Sequence, residues 1–181
     1  MSVKELQARL EILTRVKAEA SPGERWRAAL NMVGAHAART FSVTEGEVAI
    51  LLKTDDGTNL KFVYPPALAE GANLFPVLSA SVASAVVKSS RGLVDNAFAQ
   101  TKHLAFYELV RLEVPKVGPI QKMAAAPILE AGPAFGVIEV SRKGADPAVA
   151  GPDFTAQDLA ALTEIGAAVG PYLLQLRPAL H

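Results

Sequence analysis

The stretch from Ile120 to Lys143, IQKMAAAPILEAGPAFGVIEVSRK, constrains this chain more than any other. It reads as two extended runs joined by a turn at Gly132-Pro133. In the second run, Phe135 to Ser141, alternation places Phe135, Val137 and Glu139 on one side and Gly136, Ile138 and Val140 on the other. A period of two between turn residues is the pattern of strands in a sheet. Pro127 lies inside the first run. A proline in a strand belongs at an edge or where no backbone donor is needed.

The remaining segments either extend this sheet or cover it. Val3, Leu6, Leu10 and Leu13 follow one another at helical spacing and form a narrow apolar seam. The seam lasts about two heptads, shorter than a coiled coil requires. Two readings are open for it: packing on its own domain, or a dimer seam. Ser21-Pro22-Gly23-Glu24 has the cap, the first-turn proline and the capping-box acid of a helix start. The helix that follows carries a stripe of Trp26, Leu30, Val33, Ala37 and Phe41. His36 beside the stripe reads as a surface or boundary residue rather than a metal ligand, because no second ligand type sits at helical spacing from it. Residues 47–53 and 59–64 read as a hairpin around Asp56-Gly57, closed by Pro65-Pro66. Beyond it the pattern gives a short strand over 74–78, a short helix over 81–88 capped by Ser79 or Ser81, a strand over 92–96 and a helix over 101–112. The last helix begins at Thr155 and aligns Leu159, Leu162, Val169, Leu173 and Leu176. Pro171 within it predicts a kink or an early end.

Lys plus Arg and Asp plus Glu number 18 each, so net charge makes no case for nucleic acid or an anionic membrane. The N-terminus mixes acids with a helical period and is not a secretion signal. No apolar run approaches the ~20 residues of a membrane span. The chain has no Cys, which excludes disulfides, thiolate metal sites, thiol redox chemistry and a thioether-linked chromophore. A cytoplasmic location is the expectation.

The order helix, helix, hairpin, irregular middle, hairpin, helix resembles the GAF domain, a small-molecule-binding and dimerisation module of signalling proteins. The resemblance runs from about Ser21 to Tyr172 and rests on three places. They are EVAILLKTDDGTNLKFVYP, the organising hairpin with its Ala126-Pro127-Ile128 and Gly136-Val137-Ile138 steps, and FTAQDLAALTEIGAAVG. It implies an α+β fold: a central antiparallel sheet with N- and C-terminal helices on one face and a ligand-pocket segment, about Phe75 to Val117, on the other. Residues 1–20 are then an N-terminal helix with a candidate dimer seam, and 21–181 the GAF-like domain. Some cyclic-nucleotide-binding members carry Asn-Lys followed by Phe-x-x-x-Asp-Glu. Here Lys143, Phe154 and Asp158 match, while Arg142 and Leu159 replace the Asn and the Glu. The resemblance implies that Lys143 and Asp158 pair and pin the last strand to the last helix. The motif is incomplete for a cyclic nucleotide, and the cofactor is left unassigned.

Catalysis is not expected. The GAF-like free methionine sulfoxide reductases need cysteines, and neither a Gly-x-Ser-x-Gly nucleophile nor a Gly-rich phosphate loop is present. His36, His103 and His181 are too scattered to suggest a metal site. Candidate ligand-binding residues are Asn96, Phe98, His103, Tyr107 and Met123. Each also has a structural reading as a strand end, a helix-surface residue or core packing. Two functions remain open: a non-enzymatic sensory module that binds a small molecule and acts on a partner protein in trans, or a dimeric scaffold that binds none. The apolar seams of the first and last helices predict a homodimer.

Overall fold

The computed structural model describes residues 1–15, 20–70, 74–100 and 118–181. Helix α1 spans Val3–Arg15. Helix α2, Pro22–Phe41, begins with the predicted capping box: Ser21 Oγ accepts from Glu24 N, and Glu24 Oε2 accepts from Ser21 N at 2.7 Å. Strands β1 (Val48–Lys53) and β2 (Asn59–Tyr64) form the first hairpin. A short helix α3, Pro66–Ala69, follows the proline pair. Then come β3 (Leu74–Pro76), α4 (Val82–Ser89, capped by Ser81) and β4 (Leu93–Asp95). The organising hairpin is β5 (Ile120–Ile128) and β6 (Gly136–Lys143), and α5 runs from Ala156 to Leu176. The helix expected over 101–112 lies outside the described residues.

The described strands make one six-stranded sheet in the order β3-β2-β1-β6-β5-β4, with every neighbouring pair antiparallel. The two hairpins therefore meet at its centre, where β1 pairs with β6. Pro127 conforms to the donor rule. β4 pairs with Met123 to Ala125, so at Pro127 the strand β5 has β6 as its one strand neighbour among the described residues.

Each face of the sheet has its own core. On one face α1, α2 and α5 cover Ile50, Leu52, Ala124, Ala126, Ile138 and Val140. Phe135 packs on this side too, opposite to the face predicted from alternation, because the strand starts only at Gly136. Leu6 and Leu10 of α1 are 0% exposed within this core. The apolar seam of the first helix is thus used inside the chain, as are Leu162, Val169 and Leu173 of α5. His36 is buried rather than at the surface, with no partner for Nε2 among the described residues, and burial lowers its pKa.

Helix α5 has the length and composition of a membrane span, yet its stripe of Leu162, Ile165, Val169 and Leu173 is buried on the sheet, as in a core helix. It does not end at Pro171 but continues to Leu176. Its approach to β5 depends on two glycines. A Cβ on Gly166 would lie 2.3 Å from Pro127 O, and one on Gly170 would lie 1.9 Å from Leu129 O. After α5 the chain turns back onto the first hairpin. Asp55 N donates to Leu180 O at 2.9 Å, Leu180 N donates to Asp55 Oδ2 at 3.0 Å, and Arg177 pairs with Asp55 at 3.1 Å.

Candidate functional site

The other face of the sheet carries Ala49 and Leu51 of β1, Leu60 and Phe62 of β2, Met123 and Ala125 of β5, and Val137 of β6. Helix α4 lies over it and contributes Val82, Ala83, Val86 and Val87. Alternation along β6 brings one ionisable side chain to the middle of this apolar floor. Glu139 pairs in register with Ala49 on one side and Ala125 on the other, so each cross-strand neighbour is a single methyl group. Small neighbours leave space for the carboxyl but give it no donor.

Glu139 is 1% exposed, and neither carboxylate oxygen has a hydrogen-bond partner among the described residues. Burial pushes its pKa up from 4.5 to about 8, because the charged form loses its hydration and gains nothing in return. Near neutral pH the group is then mostly a carboxylic acid, able to donate one hydrogen bond and accept others. An unpaired buried polar group costs about 1–3 kcal/mol. Native proteins tolerate few of these, and perturbed ionisable groups concentrate at functional sites.

The charged groups of Lys122, Arg142, Lys143 and Asp158 are engaged elsewhere. Lys122 emerges on the helix side, where its Nζ donates to Gly151 O at 2.6 Å and pairs with Asp153 at 2.7 Å. The Arg142 guanidinium lies 4.7 Å from the centre of the Phe154 ring and donates to Phe41 O. Lys143 Nζ donates to Gly46 O at 2.8 Å, while its backbone N–H donates to Glu47 Oε1 at 2.9 Å. Asp158 is occupied at the start of α5, accepting from Thr155 N at 2.7 Å and Thr155 Oγ1 at 2.8 Å. The implied Lys143–Asp158 pair is thus not among the ion pairs of the described residues. The segment before α5 is instead pinned to the sheet by Lys122, Arg142 and Asn96.

Of the candidate ligand-binding residues, the structure brings Met123 and Phe98 to the Glu139 face, Met123 within the floor and Phe98 packed at its margin. Asn96 has a different role. Its side-chain Nδ2 donates to Phe154 O at 3.0 Å and its Oδ1 accepts from Phe154 N at 2.9 Å, which uses the amide as a structural clasp. His103 and Tyr107 lie outside the described residues. Glu139 is the residue that sequence reasoning missed as a site. The signal was available in the lone acid of Val137-Ile138-Glu139-Val140, opposite the alanine run 124–126. A cleft of about 260 Å³ lies between α2, β2 and the C-terminal residues, lined by Trp26, Leu30, Lys61, Glu70 and Leu180 among others. Among the described residues, none of the side chains lining it is a buried polar group without a partner.

The architecture matches known structures along nearly its whole length. The GAF domain of an Acinetobacter phosphoenolpyruvate-protein phosphotransferase superposes with a TM-score of 0.64 at 14% identity, covering 96% of this chain and 95% of that one. The chain has a GAF fold. A segment of a methyl-accepting chemotaxis protein, residues 122 to 287, is similar at a TM-score of 0.65 and 14% identity, covering 94% of this chain and 96% of that one. The GAF fold also carries enzymes. The free methionine-R-sulfoxide reductase from Neisseria meningitidis, solved with its substrate, matches at a TM-score of 0.59 and 16% identity over 97% of this chain and 90% of that one. At these identities the likeness is one of fold. The sequence matches no family model and no curated protein sequence.

Proposed function

We propose that this GAF-fold chain is a non-enzymatic sensory module that binds a small molecule on the sheet face containing Glu139. The observation that carries this reading is the isolation of the Glu139 carboxyl: central in the sheet, buried, and without a partner for either oxygen among the described residues. Ligand sites are largely apolar with a few polar groups that orient the ligand, and this face has that composition. A regulatory role fits two of the similar structures, which belong to a phosphotransferase protein and a chemotaxis protein. The absence of cysteine removes thiol chemistry as the basis for a reductase.

The burial of Leu6 and Leu10 bears on assembly. A homodimer through the terminal helices uses their outer surfaces, such as the side of α1 where Ile12 is 58% exposed, and not the seams themselves. Native mass spectrometry of protein purified without added ligand tests the central reading, comparing the wild type with Glu139→Gln. An added small-molecule mass that is present in the wild type and depleted in the variant supports it. A bare wild-type protein that no metabolite panel stabilises refutes it and favours the scaffold reading.

A further inference from the structure

We infer that the ligand presents a protonated nitrogen to Glu139: this face takes a small amine with an apolar body, held by an ammonium–carboxylate contact. The inference rests on the small-molecule reading above and narrows it to one class of ligand.

The distribution of charge across the face argues for it. Strand alternation assigns Asp95, Glu139, Lys53 and Lys143 to this side. Glu139 sits near the centre, between the methyl groups of Ala49 and Ala125. Asp95 pairs with Met123, two residues along β5 from Ala125, so the second acid borders the same floor. Lys143 lies four residues from Glu139 along β6, and Lys53 four residues from Ala49 along β1, about 13 Å away at the usual strand rise. Lys143 is also committed to Gly46 O. On α4 the single ionisable side chain, Lys88, is exposed. Among the described residues, then, an anion placed over the floor meets the Glu139 carboxyl at its centre, and the lysines of this side stand about 13 Å off. An ammonium meets a carboxyl that lacks only a donor. Leu51, Met123, Val137 and Val86 around it supply an apolar surface for the rest of the molecule.

Ammonium binding needs the ionised carboxyl, while the free group holds its proton up to about pH 8. The amine itself stays protonated over this range, as a lysine does. Binding below that pH therefore releases a proton, and affinity rises about tenfold per pH unit until it levels off near the carboxyl's own pKa.

The experiment measures binding of n-butylammonium, cyclohexylammonium and putrescine by calorimetry from about pH 6 to about pH 9, against butyrate, butyl phosphate and butyramide at matched ionic strength. The expected result is a preference for amines, an affinity that climbs with pH, and proton release that depends on buffer ionisation heat. In Glu139→Gln the pH slope disappears and the preference moves toward the neutral amide. Glu139→Asp retains the slope at lower affinity and serves if the Gln protein does not fold. Glu139-dependent binding of butyramide or of an anion in preference to the amines overturns the amine assignment and leaves the sensory reading standing. Amine affinity equal in wild type and variant overturns the amine contact. If none of the probes binds, the amine inference fails, and the mass-spectrometric comparison separately decides the sensory reading.

Discussion

Glu139 gives the protein a dependence of stability on pH that a single substitution removes. Its pKa is 4.5 when exposed and about 8 in the folded chain. Between those values the unfolded state has lost the proton and the folded state keeps it, so folding takes up a proton. Stability is therefore highest below the lower value and falls as pH rises, by about 1.4 kcal/mol per pH unit. The loss amounts to about 3 kcal/mol at pH 7 and about 5 kcal/mol above the folded pKa. That is a large share of the 5–15 kcal/mol typical of a domain. Glu139→Gln keeps the shape and the unpartnered polar group but cannot ionise. Near pH 4.5 both proteins carry a neutral buried group, and their stabilities agree to about 1 kcal/mol. At neutral pH the variant is more stable by about 3 kcal/mol. Urea denaturation of both proteins at about pH 5, 7 and 8.5, with the m-value as a check on the unfolded state, measures the difference. Parallel pH profiles for the two proteins refute the argument, because they mean that the carboxyl already has a partner or reaches water.

The buried seam of α1 predicts that Leu10→Ala destabilises the chain by about 2–5 kcal/mol without changing its oligomeric state, which denaturation and light scattering report together. Gly170→Ala forces a Cβ against Leu129 O and shifts α5 away from β5, at a cost of about 1–3 kcal/mol or more in thermal unfolding. Asn96→Ala removes both hydrogen bonds to Phe154 and costs about 1–3 kcal/mol, while ligand affinity, measured by calorimetry, is unchanged. Asp56 accepts from Thr54 Oγ1, Thr58 N and Thr58 Oγ1, which hold its pKa at about 2. Its contribution to stability is therefore present above its ordinary pKa and is lost only as pH falls through about 2, and Thr54→Ala raises the NMR titration midpoint.

The fold was legible wherever local pattern and tertiary need coincide. The capping box at Ser21, the Asp56-Gly57 turn and the alternation of β6 each specify their own structure, and together they set the antiparallel sheet. The site was less legible because a strand pattern gives the side of the sheet but not the neighbours. Glu139 was placed on the correct alternation with Val137, yet only the cross-strand register shows that alanines flank it, and only the packed structure shows that no donor among the described residues reaches it. Asn96 shows the opposite difficulty: a polar residue at a strand end looks available for a ligand, while its hydrogen-bond partner is the Phe154 backbone 58 positions later. The membrane-length composition of α5 and the seam of α1 are alike in this respect. Both apolar stripes arise from one internal core, which sequence alone does not distinguish from a bilayer or a second subunit.

The clasp between Asp55 and Leu180 has a practical consequence. A fluorophore attached to His181, which is exposed, would not tumble freely at the end of a frayed tail. It would ride on the turn of the β1–β2 hairpin, and its anisotropy would report whether that hairpin and the end of α5 move as one body. The same clasp advises against a short C-terminal affinity tag, since pulling Leu180 from its place would unseat Arg177 and leave Asp55 without its partners.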